Sequence, residues 1–332
     1  MIEKPLKLLV TPFLSKAQCD PARIDVVASD WGNRAYFRVW QGQTPKILMV
    51  CKDDLTRSKI PDFLEISRWL RSVGLSAPEI YETDVVAGLV LLEDFGTKIC
   101  EDYDLMGQCL KGFQGCDLPD FLPSFQQGTV YKAHRRVVDW FVPSMLHRKN
   151  AEGVVEAYLD VWDNLEARLP TPDLGFVHVD FHPANFMMLP DRSGVKQCGI
   201  LDFQDGCVGP IAYDYTNLLK DIRRDVPDEI VTRVLQGAMV DMDAAQKESF
   251  EVWYKFLCVQ FHLKIAGQVI KLSLDGGRDD LLKFLPRVVG YLQEELQDDL
   301  FSELRLFFIN LGLDWDMEKL MIEPEFIASN AF

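Results

Sequence analysis

The chain carries little positive charge for its length. Its 332 residues include 35 Lys or Arg against 51 Asp or Glu, which gives a formal net charge of −16. A surplus of negative charge repels the phosphate backbone of nucleic acids and the headgroups of anionic membranes. The composition therefore argues against a nucleic-acid partner and against binding to an acidic membrane surface.

Long apolar runs are also missing. No stretch reaches the length of about eighteen apolar residues that spans a bilayer, and residues 1–10 lack the apolar core and cleavage site of a secretion signal. The eight cysteines include no C-x-x-C pair, so we expect reduced thiols rather than a disulfide framework. These absences favour a cytoplasmic protein with no membrane partner.

The first ninety or so residues alternate short β-like runs with turns, which is typical of an antiparallel meander. Between the third and fourth runs, apolar residues at helical spacing predict a helix over residues 62–73 that ends at Gly74. The last run leads directly into Glu93-Asp94-Phe95-Gly96. The predicted strands are residues 23–28, 36–40, 46–51, 78–83 and 88–92.

From residue 102 onward the amphipathic helical pattern dominates, except in 175–201, where short β-like runs alternate with turn residues. The sequence therefore predicts an α+β protein with two lobes. A small antiparallel β-rich lobe would take residues 1–93, and a larger, mainly helical lobe would take residues 94–332. The predicted helices of the second lobe are residues 129–145, 154–169, 246–274 and 281–296.

The densest group of polar residues lies in the segment 178–205. Asp180 is followed five residues later by Asn185, which matches the kinase catalytic-loop pattern H-x-D-x-x-x-x-N. Phosphoryl transfer needs a carboxylate that accepts the proton of the attacking hydroxyl, and oxygen ligands for Mg²⁺. Asp180 is the predicted base, and Asn185 and Asp202 are the predicted magnesium ligands.

Three neighbouring side chains, His178, Asp214 and Asp205, each have more than one possible role. We expect His178 to support the loop through its imidazole, although His178 and His182 would also suit a transition metal if their segment were helical. Asp214 is expected to order the catalytic loop by accepting backbone N–H groups, or only to stabilise the start of its helix. Asp205 would contact the metal or the acceptor, or be a solvated loop carboxylate.

At this point the chain resembles the aminoglycoside phosphotransferase and choline kinase superfamily, the small-molecule branch of the protein-kinase-like fold. Within it, four segments are similar to the bacterial anomeric kinases that phosphorylate N-acetylmuramate and N-acetylglucosamine. The resemblance implies a two-lobed kinase fold and ATP with Mg²⁺ as cofactors. It also implies that the backbone of Glu93, Asp94 and Phe95 forms the hinge that meets adenine. The four segments are residues 91–96, 201–214, 263–267 and 285–292.

The triplet Asp94-Phe95-Gly96 spells the metal motif of protein kinases, but it precedes the catalytic loop. The metal carboxylate has to follow that loop, so Asp202 takes the role. The kinase pattern also places a phosphate-pairing lysine on the third strand. The matching position in this chain is Met49 or Val50, so the lysine is missing.

One substitute for that lysine is Lys52, with Glu65 as its helix partner, although both could equally be exposed charges. The loop before the second strand, residues 29–34, lacks the pattern G-x-G-x-x-G. Phosphate contact is expected there through Arg34 or through backbone N–H groups.

Two functional hypotheses follow. The first is an ATP- and Mg²⁺-dependent kinase that phosphorylates a hydroxyl of a small molecule, either an N-acetylated amino sugar or an aminoglycoside or other hydroxyl compound. The second is a kinase-like binding protein with weak catalysis, suggested by the missing lysine and the glycine-poor loop. The three residues Asp180, Asn185 and Asp202 favour the enzyme.

Overall fold

The computed structural model describes residues 4–29 and 34–332. The strands are β1 (Ile24–Ser29), β2 (Arg34–Gln41), β3 (Thr44–Cys51), β4 (Ile80–Asp84), β5 (Leu89–Glu93), β6 (Leu174–Val177), β7 (Phe186–Met188), β8 (Cys198–Ile200) and β9 (Cys207–Pro210). The α-helices are α1 (Lys4–Lys16), α2 (Asp54–Ser58), α3 (Ile60–Ser72), α4 (Tyr103–Phe113), α5 (Thr129–Lys132), α6 (Val142–Leu146), α7 (Val154–Glu166), α8 (Ala212–Leu219), α9 (Asp228–Ala238), α10 (Ala244–Gly276), α11 (Leu285–Glu295) and α12 (Ser302–Leu311). This content confirms the α+β class.

The chain forms two compact units. Unit 1 comprises the described residues up to Gly112 together with His182–Gly206, and unit 2 comprises Phe113–Phe181 together with Cys207–Phe332. The segment 182–206 joins unit 1 through backbone hydrogen bonds, such as the one from Ile200 N–H to the Ser76 carbonyl at 2.7 Å. The two-lobe boundary after residue 93 is a different division and stays a prediction.

Unit 1 is built on an antiparallel five-stranded sheet with the order β1-β2-β3-β5-β4. All five predicted strands are present. One face of the sheet is buried against α1, where Phe13 and Leu14 pack with Leu48 and Val50 of β3. The sequence analysis did not predict α1. Because side chains alternate along a strand, Met49 lies on the opposite face, and in the ladder it stands across from Tyr36 of β2.

Unit 2 is mainly helical and is organised around α10, which has 33 residues. The helix begins at a capping box, in which Asp243 accepts a hydrogen bond from Gln246 N–H. It ends at Gly277 in the left-handed conformation, which only glycine adopts at little cost. The helices α8 and α11 pack against it, and the short ladder β6–β9 completes the unit.

The predicted single helix over 129–145 is wrong. The structure divides this segment into α5, a 3₁₀ turn, the π-helical turn Val137–Phe141 and α6. Pro143 is at the start of α6. A proline has no N–H to donate and its ring clashes with the preceding turn, so the helical hydrogen-bond pattern changes just before it.

Among the helices that the structure describes, none combines the length and the apolar character that a bilayer crossing requires.

Candidate active site

The segment after β6 carries the predicted base. Asp180 is exposed, whereas His178 two residues earlier has no exposed surface. The carboxylate of Asp214, on α8, accepts hydrogen bonds from the backbone N–H of His178 at 2.5 Å and of Val179 at 3.0 Å. Both oxygens of one buried side chain therefore fix the backbone that leads into Asp180.

The backbone between these residues is strained. Val179 has a φ of 79°, a conformation that a β-branched side chain rarely adopts. Such a residue costs about 1–3 kcal/mol and persists only where its surroundings hold it in place. The hydrogen bond from Val179 N–H to Asp214 is the contact that holds it here.

Opposing effects act on the pKa of Asp214. Burial raises the pKa of Asp214 to about 7, the hydrogen bonds from His178 and Val179 lower it, and the charge of Asp180 raises it again. The imidazole of His178 also contributes to the loop, because its Nδ1 lies 3.3 Å from Asp180 N–H. The imidazole of His178 thus contacts the backbone of Asp180, two residues later in the chain.

Unit 1 holds the two predicted magnesium ligands. The backbone carbonyl of Asn185 accepts a hydrogen bond at 2.9 Å from the N–H of Leu201, the residue just before Asp202. Asp202 itself has a φ of 57°, the left-handed region that few residues other than glycine adopt. Within this unit, the residues around Asn185 and those around Asp202 are thus joined by a backbone hydrogen bond.

Around Asp202 the polar side chains converge. The guanidinium of Arg34 lies 3.5 Å from Asp202 Oδ1, and the amide nitrogen of Gln204 donates to that same oxygen at 2.9 Å. Gln204 also donates to Asp205 at 3.2 Å, and Lys59 forms an ion pair with Asp205 at 3.2 Å. Two carboxylates are therefore bridged by one amide and flanked by two cations.

This donor set fits a magnesium ion that arrives with a nucleotide. Carboxylate and amide oxygens are the ligands that Mg²⁺ prefers, and the ion usually takes only one or two carboxylates from the protein and the rest from phosphates and water. Asp202 and Asn185 supply such oxygens. No group of three or more His, Cys, Asp or Glu side chains suited to a metal occurs among the described residues. The residues between His178 and His182 do not form a helix, so the condition for a transition-metal pair there is not met.

The predicted hinge follows β5. Asp94 is tied to Arg38 by two hydrogen bonds of 2.5 and 3.0 Å, and Glu93 forms an ion pair with Arg192. Phe95 packs on Gly199, where an added Cβ would come within 2.7 Å of its ring. These side chains brace the segment, and the adenine contact of its backbone stays a prediction.

The structure does not bring Lys52 and Glu65 together. Lys52 follows the last residue of β3 and is exposed, and Glu65 lies on the exposed side of α3. No ion pair joins them within the described ranges. Arg34 differs, because its side chain is only 11% exposed and it contacts Asp202.

The family model of the phosphotransferase enzyme family matches residues 23–247, which is more than half of the chain. The chain belongs to this family. Because the relatives in this family are kinases, the chain is an enzyme that transfers a phosphoryl group to a hydroxyl of a small molecule.

Among curated proteins, this phosphotransferase is similar to two bacterial proteins named N-acetylmuramate/N-acetylglucosamine kinase. The protein of Caulobacter vibrioides is 25% identical over 89% of this chain and 94% of its own length. The protein of Pseudomonas putida is 28% identical over 82% of this chain and 83% of its own length.

Solved structures show the same fold. The choline kinase LicA of Streptococcus pneumoniae superimposes with a TM-score of 0.61 and 14% identity, over 88% of this chain and all of that one. An ADP-bound aminoglycoside phosphotransferase gives a TM-score of 0.58 with 16% identity, over 87% of this chain and 98% of its own. The phosphotransferase thus has the two-lobed protein-kinase-like fold expected from its motifs.

Sequence reasoning assigned no role to four polar residues of this phosphotransferase: Gln204, Lys59, Lys264 and Tyr213. Gln204 and Lys59 contact the acidic pair in unit 1, and Lys264 donates a hydrogen bond to Tyr213 in unit 2 at 2.8 Å. Gln204 lies between Asp202 and Asp205 in the sequence, which was a usable signal. The other three are brought to their partners only by the fold.

Proposed function

We propose that this phosphotransferase uses ATP and Mg²⁺ to phosphorylate the anomeric hydroxyl of an N-acetylated amino sugar. The observation that carries the acceptor is that relatives aligned with most of the chain are named N-acetylmuramate/N-acetylglucosamine kinase. The observation that supports the reaction is the loop at Asp180, which a strained residue and a buried carboxylate hold in one conformation.

In this proposal the oxygen of the acceptor hydroxyl attacks the γ-phosphorus of ATP. The proton of that hydroxyl passes to the carboxylate of Asp180, and the bond from the γ-phosphorus to the bridging oxygen breaks, so that ADP leaves. Asp214 holds the backbone of the loop so that the exposed carboxylate of Asp180 keeps its orientation. A fixed base removes the entropic cost of positioning it during the reaction.

On the nucleotide side, Asp202 and Asn185 would hold the magnesium, which supplies charge neutralisation at the β- and γ-phosphates. Arg34 is the proposed phosphate-binding cation. It lies on the sheet face that also carries Met49, because residues 34, 36 and 38 of β2 alternate with those that pack on α1. In this proposal Arg34 takes the role of the phosphate-pairing lysine that is missing from the third strand.

Two other functions have specific support. The aminoglycoside phosphotransferase fold and the net charge of −16 would suit a polycationic acceptor. Met49 in place of the usual lysine favours a binding protein with weak catalysis. Net charge describes a whole surface and not one pocket, and Arg34 supplies a phosphate-binding cation, so both rank second.

The test is an assay of ADP release with N-acetylmuramate, N-acetylglucosamine and a kanamycin-type compound. We expect turnover with at least one of the two sugars. A kanamycin-type compound phosphorylated at least about ten times more efficiently than either sugar, or about 1.4 kcal/mol of transition-state preference, would overturn the choice of acceptor.

Thermal unfolding is the second measurement that tests the proposed function. MgATP at millimolar concentration should raise Tm, because a ligand that binds only the folded state stabilises it by mass action. ATP without Mg²⁺ should raise it less. A binding protein would show the shift in Tm without ADP release from any acceptor.

A further inference from the structure

Lys264 and Arg136 of unit 2 are partly buried and form no ion pair with a carboxylate in the part of the chain that the structure describes. Lys264 lies on α10, and Arg136 lies just before the π-helical turn. Arg136 Nε is buried without a hydrogen-bond acceptor. The guanidinium of Arg136 instead lies 5.2 Å from the centre of the Phe332 ring, and the ammonium of Lys264 lies 4.7 Å from that of Phe261.

Gly267 explains how the two cations are brought to one region. It follows Lys264 by three residues, so both lie on the same side of α10. A Cβ added at Gly267 would come within 2.0 Å of the backbone carbonyl oxygen of Arg136. Only glycine allows α10 to lie directly against the backbone that carries Arg136.

Lys264 is within electrostatic range of the predicted base and of Arg136. Burial lowers the pKa of Lys264 to about 8, while the negative charge of Asp180 raises it and the charges of Arg136 and Arg223 lower it further. The hydrogen bond of Lys264 to Tyr213 places the ammonium next to the residue that precedes Asp214. At neutral pH Lys264 is therefore mainly protonated and close to the reacting region.

Two partly buried cations without an ion-pair partner lower the stability of the folded protein unless a ligand supplies the negative charge. A positive group removed from water without an anion beside it loses solvation and gains nothing in return. The chain has 51 acidic residues, yet it places none in an ion pair with Lys264 or Arg136 among the described residues. In unit 1, by contrast, Arg34 and Lys59 both have carboxylate partners.

We propose that Lys264 and Arg136 form an anion subsite that binds a carboxylate of the acceptor sugar. This inference rests on the proposed function and adds to it. N-acetylmuramate carries a lactyl carboxylate that N-acetylglucosamine lacks, and lysine and arginine bind carboxylates through charge-assisted hydrogen bonds. The subsite therefore favours the acidic sugar over the neutral one, and it disfavours a polycationic aminoglycoside.

The test compares kcat/KM for the two sugars in the full-length protein. Lys264→Met should lower the ratio of N-acetylmuramate to N-acetylglucosamine by at least about tenfold, mainly through KM for the acidic sugar. Lys264→Arg should retain most of the ratio because it keeps the charge. Lys255→Met is the matched control, since Lys255 lies on the same helix but is paired with Asp298 at 2.7 Å, and its ratio should not change.

Each outcome decides between the two proposals. An equal loss for both sugars in Lys264→Met would place the lysine at the transferred phosphoryl group or in the packing and would overturn the subsite. An unchanged ratio would overturn it as well. If the wild-type protein phosphorylated N-acetylglucosamine but not N-acetylmuramate, the subsite alone would fail. If it phosphorylated neither sugar, the proposed function would fail and the subsite with it.

Discussion

Two groups of charged side chains, one in each compact unit, differ in how their charges are paired. In unit 1 the carboxylates of Asp202 and Asp205 already have protein cations and a bridging amide beside them. In unit 2 the cations Lys264 and Arg136 have no carboxylate partner among the described residues. A balanced acidic pair suits a ligand that brings both a cation and phosphates, whereas unpaired cations suit a ligand that brings an anion. If the two proposals hold, unit 1 contributes the nucleotide-binding residues named above and unit 2 contributes the acceptor-binding ones.

The largest expected effect comes from removing the base in unit 2. Asp180→Asn should lower kcat by about 10² or more, because general-base catalysis contributes on that scale. The MgATP-induced rise in Tm should remain, since no proposed metal ligand is lost. Steady-state kinetics and thermal unfolding measure the two quantities.

Asp202→Ala provides the matched contrast in unit 1. It should weaken metal and nucleotide binding together, so the shift in Tm should disappear along with activity. Wild-type rates in both variants would mean that these segments are not the active site.

The next effect concerns the contact that orders the catalytic loop. Asp214→Asn keeps one acceptor oxygen and loses the other, so one of the two buried N–H groups of His178 and Val179 is left without a partner. An unsatisfied buried group costs about 1–3 kcal/mol, and the strained φ of Val179 would relax. We expect a lower Tm and a lower kcat with KM for ATP unchanged.

Asp221→Asn is the control for that variant. Asp221 is also buried in unit 2, and it accepts a hydrogen bond from Arg223 N–H at 3.0 Å rather than from the catalytic loop. It should lower Tm while kcat stays near the wild-type value. A fall in kcat of the same size in both variants would show that Asp214 acts only through stability.

A smaller effect is expected from the phosphate-binding cation proposed in unit 1. Arg34→Met should raise KM for ATP by about tenfold with a smaller change in KM for the sugar, because the lost charge faces the nucleotide. Arg23→Met is the control, since Arg23 stacks on Trp40 at 3.8 Å and does not contact the acidic pair. An unchanged KM for ATP in Arg34→Met would leave unit 1 without a substitute for the missing lysine.

The smallest effect is a dependence on pH. Between pH 7 and pH 9 the preference for N-acetylmuramate over N-acetylglucosamine should fall about threefold to tenfold, because Lys264 loses its proton near its pKa of about 8. The charged groups that act on Lys264 are Asp180, Arg136 and Arg223, and burial raises the pKa of its hydrogen-bond partner Tyr213. The pKa of Asp214, which follows Tyr213, is about 7, so kcat for N-acetylglucosamine, which has no carboxylate, is the reference for changes in the loop. A ratio that is constant with pH would contradict the role of the lysine.

Sequence reasoning succeeded where a feature depends on local pattern. The five strands of unit 1 are short β-like runs separated by turn residues, so their positions could be predicted. The spacing of Asp180 and Asn185 is fixed by one short loop, and Asp202 follows an apolar strand, so these residues could be singled out without knowledge of the fold; their roles stay predictions.

Features that depend on tertiary packing could not be predicted in this way. The break in the helix over 129–145 includes a π-helical turn whose position depends on packing as well as on Pro143. Whether Lys52 and Glu65 meet depends on how α3 packs on the sheet, and among the described residues no ion pair joins them. Lys264 and Arg136 are 128 residues apart in the sequence, and only the close approach at Gly267 brings them into one region.

The most direct test of the account is ³¹P NMR of the product formed from N-acetylmuramate and ATP. The account predicts one new sugar phosphate whose phosphorus couples to the anomeric proton and which mild acid hydrolyses, formed together with an equal amount of ADP. An acid-stable phosphate on another hydroxyl would contradict the proposed position of transfer. ADP release without any sugar phosphate would contradict the claim that this phosphotransferase is a sugar kinase.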